Sequence, residues 1–252
     1  DIENRRTQQQ EPQESPKPEW ISFNNLTSVE RVDVAIEMVE TIAAIHGFEG
    51  GVIVNGDLHT EQFLRNDAGQ LKLNDFNNAI LMEWSFDKEQ YCQVEHEFTG
   101  TFHAREEHEG YKQVDERIDV FSIGSSIFTL LAGLWPHWEY DADHDAKMER
   151  IENGIIPALD FCFSLSNNKL QDHPIEERLI QIMEPCLAGK KEDRPSIFEV
   201  LDQLNKLKKD ISSGDVKNLS KATTTDTNNK TKTAKKTTKT TKTTKAVKAS
   251  AR

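Results

Sequence analysis

Two carboxylates and an amide within one short stretch carry the clearest chemistry in this chain. Residues 54–78 read VNGDLHTEQFLRNDAGQLKLNDFNN, with Asp57 and Asp75 each just beside a short apolar run. Phe63-Leu64 and Leu71-Lys72-Leu73 are strand-like, and Asn66-Asp67-Ala68-Gly69 between them is a turn-forming cluster. Folding residues 63–73 back as a hairpin brings Asp57 and Asp75 near each other. Two acids and the amide of Gln62 facing one cleft supply hard oxygen ligands, a set that suits Mg²⁺ and phosphate. The same spacing also fits two acids that merely end strands in solvated turns. From the residues alone, both readings stand.

The elements that must hold this stretch are legible from capping and periodicity. Thr27 and Glu30 have capping-box spacing, the hydroxyl accepting a first-turn N–H while the carboxylate reaches back. Behind them Val32, Ala35, Ile36, Val39, Ile42, Ala43 and His46 recur mainly at steps of three and four. That predicts an amphipathic helix of about five turns, stopped by Gly47. Val52-Ile53-Val54 is a short buried strand. Past residue 75 the pattern is loop-like until Asp119. Residues 120–133 (VFSIGSSIFTLLAG) are apolar almost all round, which predicts a helix inside the core. Residues 144–152 form a charged amphipathic segment, and 175–188 and 196–209 two further helices. The last has Ile197, Val200, Leu201, Leu204 and Leu207 on one face.

Five segments, in order, carry a family resemblance. Asn55-Gly56-Asp57-Leu58-His59-Thr60-Glu61-Gln62 resembles the protein kinase catalytic loop His-Arg-Asp-Leu-Lys-Pro-Glu-Asn, and Asp75-Phe76-Asn77 resembles Asp-Phe-Gly. Gly100-Thr101-Phe102-His103-Ala104-Arg105-Glu106 resembles the Gly-Thr…Ala-Pro-Glu end of the activation segment. Asp119-Val-Phe-Ser-Ile-Gly124 resembles the Asp-x-Trp-Ser-x-Gly opening of the central helix. Glu192-Asp193-Arg194-Pro195-Ser196 resembles the Arg-Pro before the last helix. Together they cover residues 29 to 209. The resemblance implies an α+β fold, a protein kinase-like C-lobe that is mainly α-helical with a short catalytic-loop β-hairpin.

It also implies roles. Asp57 matches the base that accepts the substrate hydroxyl proton, and Asp75 the acid that binds Mg²⁺. Gln62 replaces the Asn that holds the second metal, its amide oxygen one methylene further out, so Gln62 and Asp75 form the expected ATP–Mg²⁺ set. His59 replaces the Lys that contacts the transferred phosphate and is the second expected catalytic residue. An imidazole can donate a hydrogen bond there but, when neutral, brings no full charge. A polar loop residue with no such role is the other reading of His59. Gly56 replaces the Arg that clamps a phosphorylated activation segment, and Arg105 replaces the Pro of Ala-Pro-Glu. Asn77 replaces the hinge Gly, and Asn tolerates left-handed backbone, so the turn is expected to survive. Glu106 is expected to pair with Arg194, and Asp119 to anchor the catalytic-loop backbone. Both are structural roles.

The function so implied is ATP-dependent phosphoryl transfer to a protein hydroxyl. Serine/threonine is favoured over tyrosine because Gly100-Thr101 fits that branch and no tyrosine-kinase Arg follows Asp57. Four departures, at Asn55, Gly56, Gln62 and Asn77, point instead to a pseudokinase that binds or scaffolds. Small-molecule phosphotransferases of the aminoglycoside or choline kinase type share a Gly-Asp-Leu-His loop, matched by Gly56 to His59, but lack the three later landmarks. No Gly-rich phosphate loop and no Val-Ala-Ile-Lys strand precede residue 29, so an N-lobe is expected to be missing. The chain alone is not expected to phosphorylate efficiently.

The ends differ from this middle. Residues 1–19 are rich in Gln, Glu and Pro without apolar period and are expected to be disordered, with order starting near Trp20 and one lobe over 20–210. Residues 211–252 are a Lys/Thr-rich low-complexity tail of ten Lys and one Arg against two Asp, a net +9 that leaves −21 on residues 1–210. That tail is expected to be disordered too. It could bind nucleic acid by counterion release, fold onto the acidic body, act as a nuclear import signal or be a solvated spacer. Cys92, Cys162 and Cys186 follow no metal-ligand pattern and fit a reduced compartment, cytoplasm or nucleus. No run of about 18 apolar residues exists, so no membrane span is expected. The chain opens at Asp1 rather than Met, so an original N-terminus with any targeting signal is expected upstream.

Charge also bears on control. A phosphate on Thr99 would bring about −1.5 to −2 charge beside Glu95, Glu97, Glu106 and Glu107, while Gly56 offers no guanidinium. Thr99→Glu and a form phosphorylated at Thr99 are therefore expected to be no more active than the unmodified full-length protein. A tenfold rise, about 1.4 kcal/mol of barrier, would show that another cation replaces the lost Arg.

Overall fold

The capping box at Thr27 forms as its spacing predicts. Thr27 accepts from the Glu30 amide, and Glu30 accepts from the Thr27 amide at 2.7 Å. Helix α1 (Ser28–His46) follows and ends at Gly47. In this computed structural model the described residues are 26–92, 94–95, 98–108, 113–157 and 174–215. Short strands come next: β1 (Val52–Val54), β2 (Phe63–Arg65), β3 (Leu71–Leu73), β4 (Ile80–Met82), β5 (Trp84–Ser85), β6 (Gln90–Tyr91) and β7 (Val94–Glu95). Then follow α2 (Arg105–His108), β8 (Gln113–Val114), α3 (Arg117–Ala132), α4 (His144–Glu152), α5 (Pro174–Cys186) and α6 (Ile197–Ser213). A second capping box, Ser196 with Glu199, opens α6.

The main core is built from α1, α3, α5 and α6, with Leu58 of the 55–62 loop fully buried in it. The apolar circumference of residues 120–133 does place that helix inside. Ile123, Ile127, Phe128 and Leu131 are inaccessible, and Ser122, Ser125 and Ser126 are buried with them. Ser122 and Ser126 sit there without large cost because they return their hydroxyls to carbonyls one turn back, while the Ser125 hydroxyl has no partner among the described residues. Arg31 of α1 and Glu176 of α5 form a buried ion pair, with Ser28 donating to the same carboxylate oxygen. A second, smaller cluster joins Val52, Val54 and Met82 to Ala104, Val114 and Ile118.

Strands pair two by two, all antiparallel: β1 with β4, β2 with β3, β5 with β6 and β7 with β8. The expected hairpin over 63–73 is present, with Phe63 opposite Leu73. Residues 76–118, expected to be loop-like, instead hold five short strands and α2. Pieces of two or three residues are too short for a period-2 signal; β4 and the β7–β8 pair are completed by distant partners, and β5 and β6 form a short local hairpin. The last helix also runs past the expected boundary at 210. It reaches Ser213 and is closed by left-handed Gly214, and Ile211 packs partly against the core. Residues 1–25, including Trp20, and 216–252 lie outside the described residues, as does Cys162.

Gly124 shows how tightly α3 meets α5. A Cβ there would stand 2.8 Å from the Cys186 Cβ and 3.0 Å from a Leu187 methyl. The first of these is fixed to backbone and cannot swing aside. Gly124→Ala is therefore expected to lose more by overpacking, about 1–3 kcal/mol, than it gains in helix propensity, about 1 kcal/mol. Thermal denaturation should show a midpoint several degrees lower. An unchanged or raised midpoint would contradict this packing.

Candidate functional site

Strand pairing alone brings two loops face to face. Residues 55–62 run from β1 to β2, and 74–79 run from β3 to β4. Because β1 pairs β4 and β2 pairs β3, the loops are tied together at both ends. The Asn74 amide extends the inner ladder by donating to the Gln62 carbonyl at 2.8 Å. Asn55, buried between them, joins the loops directly. Its Nδ2 donates to the Asp75 carbonyl at 2.9 Å, and its Oδ1 accepts from the Asp57 amide at 3.2 Å.

Asp57 thus leaves the loop at a fixed angle, with its neighbour Leu58 buried as an anchor. Its carboxylate stays partly exposed. Oδ2 accepts from Asn78 Nδ2 at 3.1 Å, and Oδ1 faces His103 Nε2 at 3.6 Å. The latter separation is an ion-pair distance, too long for a good hydrogen bond. The interaction with His103 is the main cause holding the Asp57 carboxyl below its usual range. Partial burial opposes it, and Asn78 and His59 add to it.

Asp75 adopts left-handed backbone, φ 61°, and its Oδ1 accepts from the Asn77 amide at 2.9 Å. Asn77 was expected to take the left-handed role of the hinge Gly. The turn does survive, but Asp75 is the positive-φ residue and Asn77 is not. Asp tolerates that region because its short side chain bonds the local backbone. Gln62 is buried, and its hydrogen bonds among the described residues are backbone ones. His59 caps the 3₁₀ turn Thr60–Gln62 in extended backbone, its ring 6.1 Å from that of Phe102. It lines a cavity of about 260 Å³ with Thr60, Glu61, Gly100, Phe102, His103 and Trp135.

Helix α3 supports both walls of this cleft. Asp119, 1% exposed, accepts from the Asn55 amide at 2.8 Å and the Gly56 amide at 3.0 Å. Gly56 has φ 75°, a conformation open to glycine at little cost. His46, at the end of α1, faces the same carboxylate at 2.9 Å. One turn on, Ser122 donates to the Phe102 carbonyl at 2.9 Å. Arg194 makes a two-pronged contact with Glu106 at 2.6 and 2.9 Å, and donates to the carbonyls of Arg117 and Ala188. Its guanidinium also stacks 5.0 Å from the Phe121 ring centre.

The structure therefore brings Asp57 and the Asp75 loop together, joins Glu106 to Arg194, and sets Asp119 under the 55–56 backbone. His59 stands at the adjoining cavity. Sequence reasoning missed His103, Asn78, Ser122 and the carboxylate contact of His46. His46 did leave a trace, a polar residue at an apolar register of α1. His103 left none.

Comparison with known proteins agrees with this arrangement. The pattern of the family described as the protein kinase domain matches residues 18–204. The chain belongs to the protein kinase family. Serine/threonine-protein kinase 12 of Arabidopsis thaliana is 24% identical over 176 residues, covering 70% of this chain and 35% of that protein. The probable serine/threonine-protein kinase roco5 of Dictyostelium discoideum is 25% identical over 84% of this chain and 7% of its own length. Serine/threonine-protein kinase VIK of A. thaliana is 23% identical over 75% of this chain and 40% of its own. The chain thus spans well under half of each curated relative. As a kinase-family member it is mainly helical with small two-stranded sheets, and no helix among the described residues is long and apolar enough to cross a membrane.

Proposed function

We propose that this chain is the C-lobe of an ATP-dependent protein kinase acting on serine or threonine. In that reaction the substrate hydroxyl oxygen attacks the γ-phosphorus, the bond to the ADP oxygen breaks, and Asp57 receives the hydroxyl proton. One observation carries this reading. Asp57 is a partly exposed carboxylate, held below its usual range by His103, which lines the His59–Trp135 cavity, and it sits on a loop tied to the Asp75 segment through Asn55.

Gln62 and Asp75 are suited to the cation that ATP carries. Both offer oxygen ligands from loops joined by the Asn74–Gln62 bond. Asp75 Oδ1 is held by the Asn77 amide, which leaves Oδ2 for a metal. Among the described residues no group of three or more His, Cys, Asp or Glu could hold a metal by itself. A cation here would take its other ligands from phosphate and water, as Mg²⁺ characteristically does. Bound there, Mg²⁺ would offset phosphate charge. The chain's own part is to hold Asp75 in its left-handed turn and Asp57 opposite the acceptor.

A second reading, a binding or scaffold module of this family, draws on one feature: both Asp57 oxygens already face groups of the protein, His103 and Asn78. Turnover separates the two. In the full-length protein with Mg-ATP and a serine/threonine peptide library, Asp57→Asn and Asp75→Asn are each expected to lower kcat by about 10²–10⁴. Transfer that survives both changes would overturn the assignment. Mg-ATP binding without transfer in the unmodified protein would select the scaffold.

A further inference from the structure

His103 has no counterpart in the expected site, yet it is the residue most deeply tied to Asp57. It is 4% exposed and lies between two carboxylates on different elements. Nε2 faces Asp57 Oδ1 at 3.6 Å, and Nδ1 faces Glu107 Oε1 at 3.1 Å. Glu107 is itself 1% exposed, its other oxygen accepting from the Ala104 amide at 2.7 Å. Ionised carboxylates only accept hydrogen bonds, so a ring facing one on each nitrogen is matched by the doubly protonated form. A neutral imidazole would turn a lone pair towards one of them.

The surrounding packing fixes the ring in that place. Ala104, inaccessible in the smaller core, holds the backbone next to it, and Ser122 holds the Phe102 carbonyl before it. The Phe98 ring lies 4.5 Å away. A Cβ at Gly100 would come within 2.9 Å of the imidazole Cδ2, so the glycine leaves room for the ring.

We infer that His103 is a positioning residue: a buried imidazolium, braced by Glu107, that orients Asp57. The inference rests on the reading of Asp57 as the base. The titratable groups around it are Asp57 and His59 from the loop and Glu107 and His108 from α2. Burial alone would lower the His103 pKa. The two carboxylates outweigh it and raise it to about 9. His108 feels the opposite effect, lowered by burial and then by His103.

The sign of the pH dependence follows. A folded-state pKa of about 9 against an ordinary 6.5 means the charge stabilises the fold fully below 6.5. That contribution is lost as pH climbs through about 9.

The test is histidine NMR titration of the full chain, labelled at the imidazoles. His103 is expected to stay protonated from pH 6 to 8 and to titrate near 9, with the midpoint at least one unit lower in Asp57→Asn and in Glu107→Gln. A wild-type midpoint at or below 6.5, or one unmoved by Asp57→Asn, overturns the inference. In the full-length protein, the alkaline limb of kcat/KM should also shift down by at least one unit in Glu107→Gln, a variant that keeps shape and removes only the charge. An active enzyme whose limb does not move overturns the inference as well. The titration needs no turnover, so the two readings fail separately. No transfer with the coupling intact rejects the kinase reading and leaves the Asp57–His103 pairing supported.

Discussion

A single buried carboxylate, Asp119, organises the site. An ionised carboxyl almost fully removed from water is tolerated only when donors surround it. Here three do: the amides of Asn55 and Gly56 and the imidazole of His46. Asp119 also lies in the first turn of α3, where the helix dipole favours negative charge. Because α3 is locked in the main core, the loop that carries Asp57 inherits the rigidity of that helix. Ser122, three residues further along, does the same for the segment that carries His103. One turn of one helix therefore fixes both sides of the cleft.

The remaining supports are also electrostatic, in a region dense with acids. Helix α2 has four residues, far too few to be stable alone. Its adjacent carboxylates diverge, Glu106 to Arg194 and Glu107 to His103. The first contact ties α2 to the segment before α6, and the second braces His103, whose other ring nitrogen faces Asp57 of the 55–62 loop. The Arg194–Glu106 pair joins residues 88 apart and exists only in the folded chain, whereas His103 and Glu107 are four residues apart and are made long-range by the His103 contact with Asp57. That arrangement suits a site whose parts must be held apart from water yet in fixed relation.

Much of the frame could be read directly from residues. The capping box at Thr27, the stop at Gly47, the buried run at 120–133 and the hairpin over 63–73 are local patterns, set by neighbours in sequence. What escaped was non-local. Strand β4 is three residues long and exists because β1 pairs with it across 25 intervening residues of loop and hairpin. Arg31 and Glu176 are charged residues of two helices far apart in sequence, and their burial follows from their meeting. Asn55, counted as a departure that weakens the site, turns out to stitch its two loops together. His103 and Asn78 have no periodicity or motif to mark them, since their role is defined by what lies opposite in space.

Amide hydrogen exchange at Asn55 and Gly56 reports whether Asp119 holds the 55–62 loop. In the unmodified chain both amides should be protected to nearly the level of the α1 interior. In Asp119→Asn, where one acceptor oxygen becomes a donor, their protection should fall by roughly 100-fold. Amides around Val39 in α1 should keep theirs, showing that the loop is released while the core stays folded. Unchanged protection at Asn55 and Gly56 would place the loop's anchor elsewhere than Asp119.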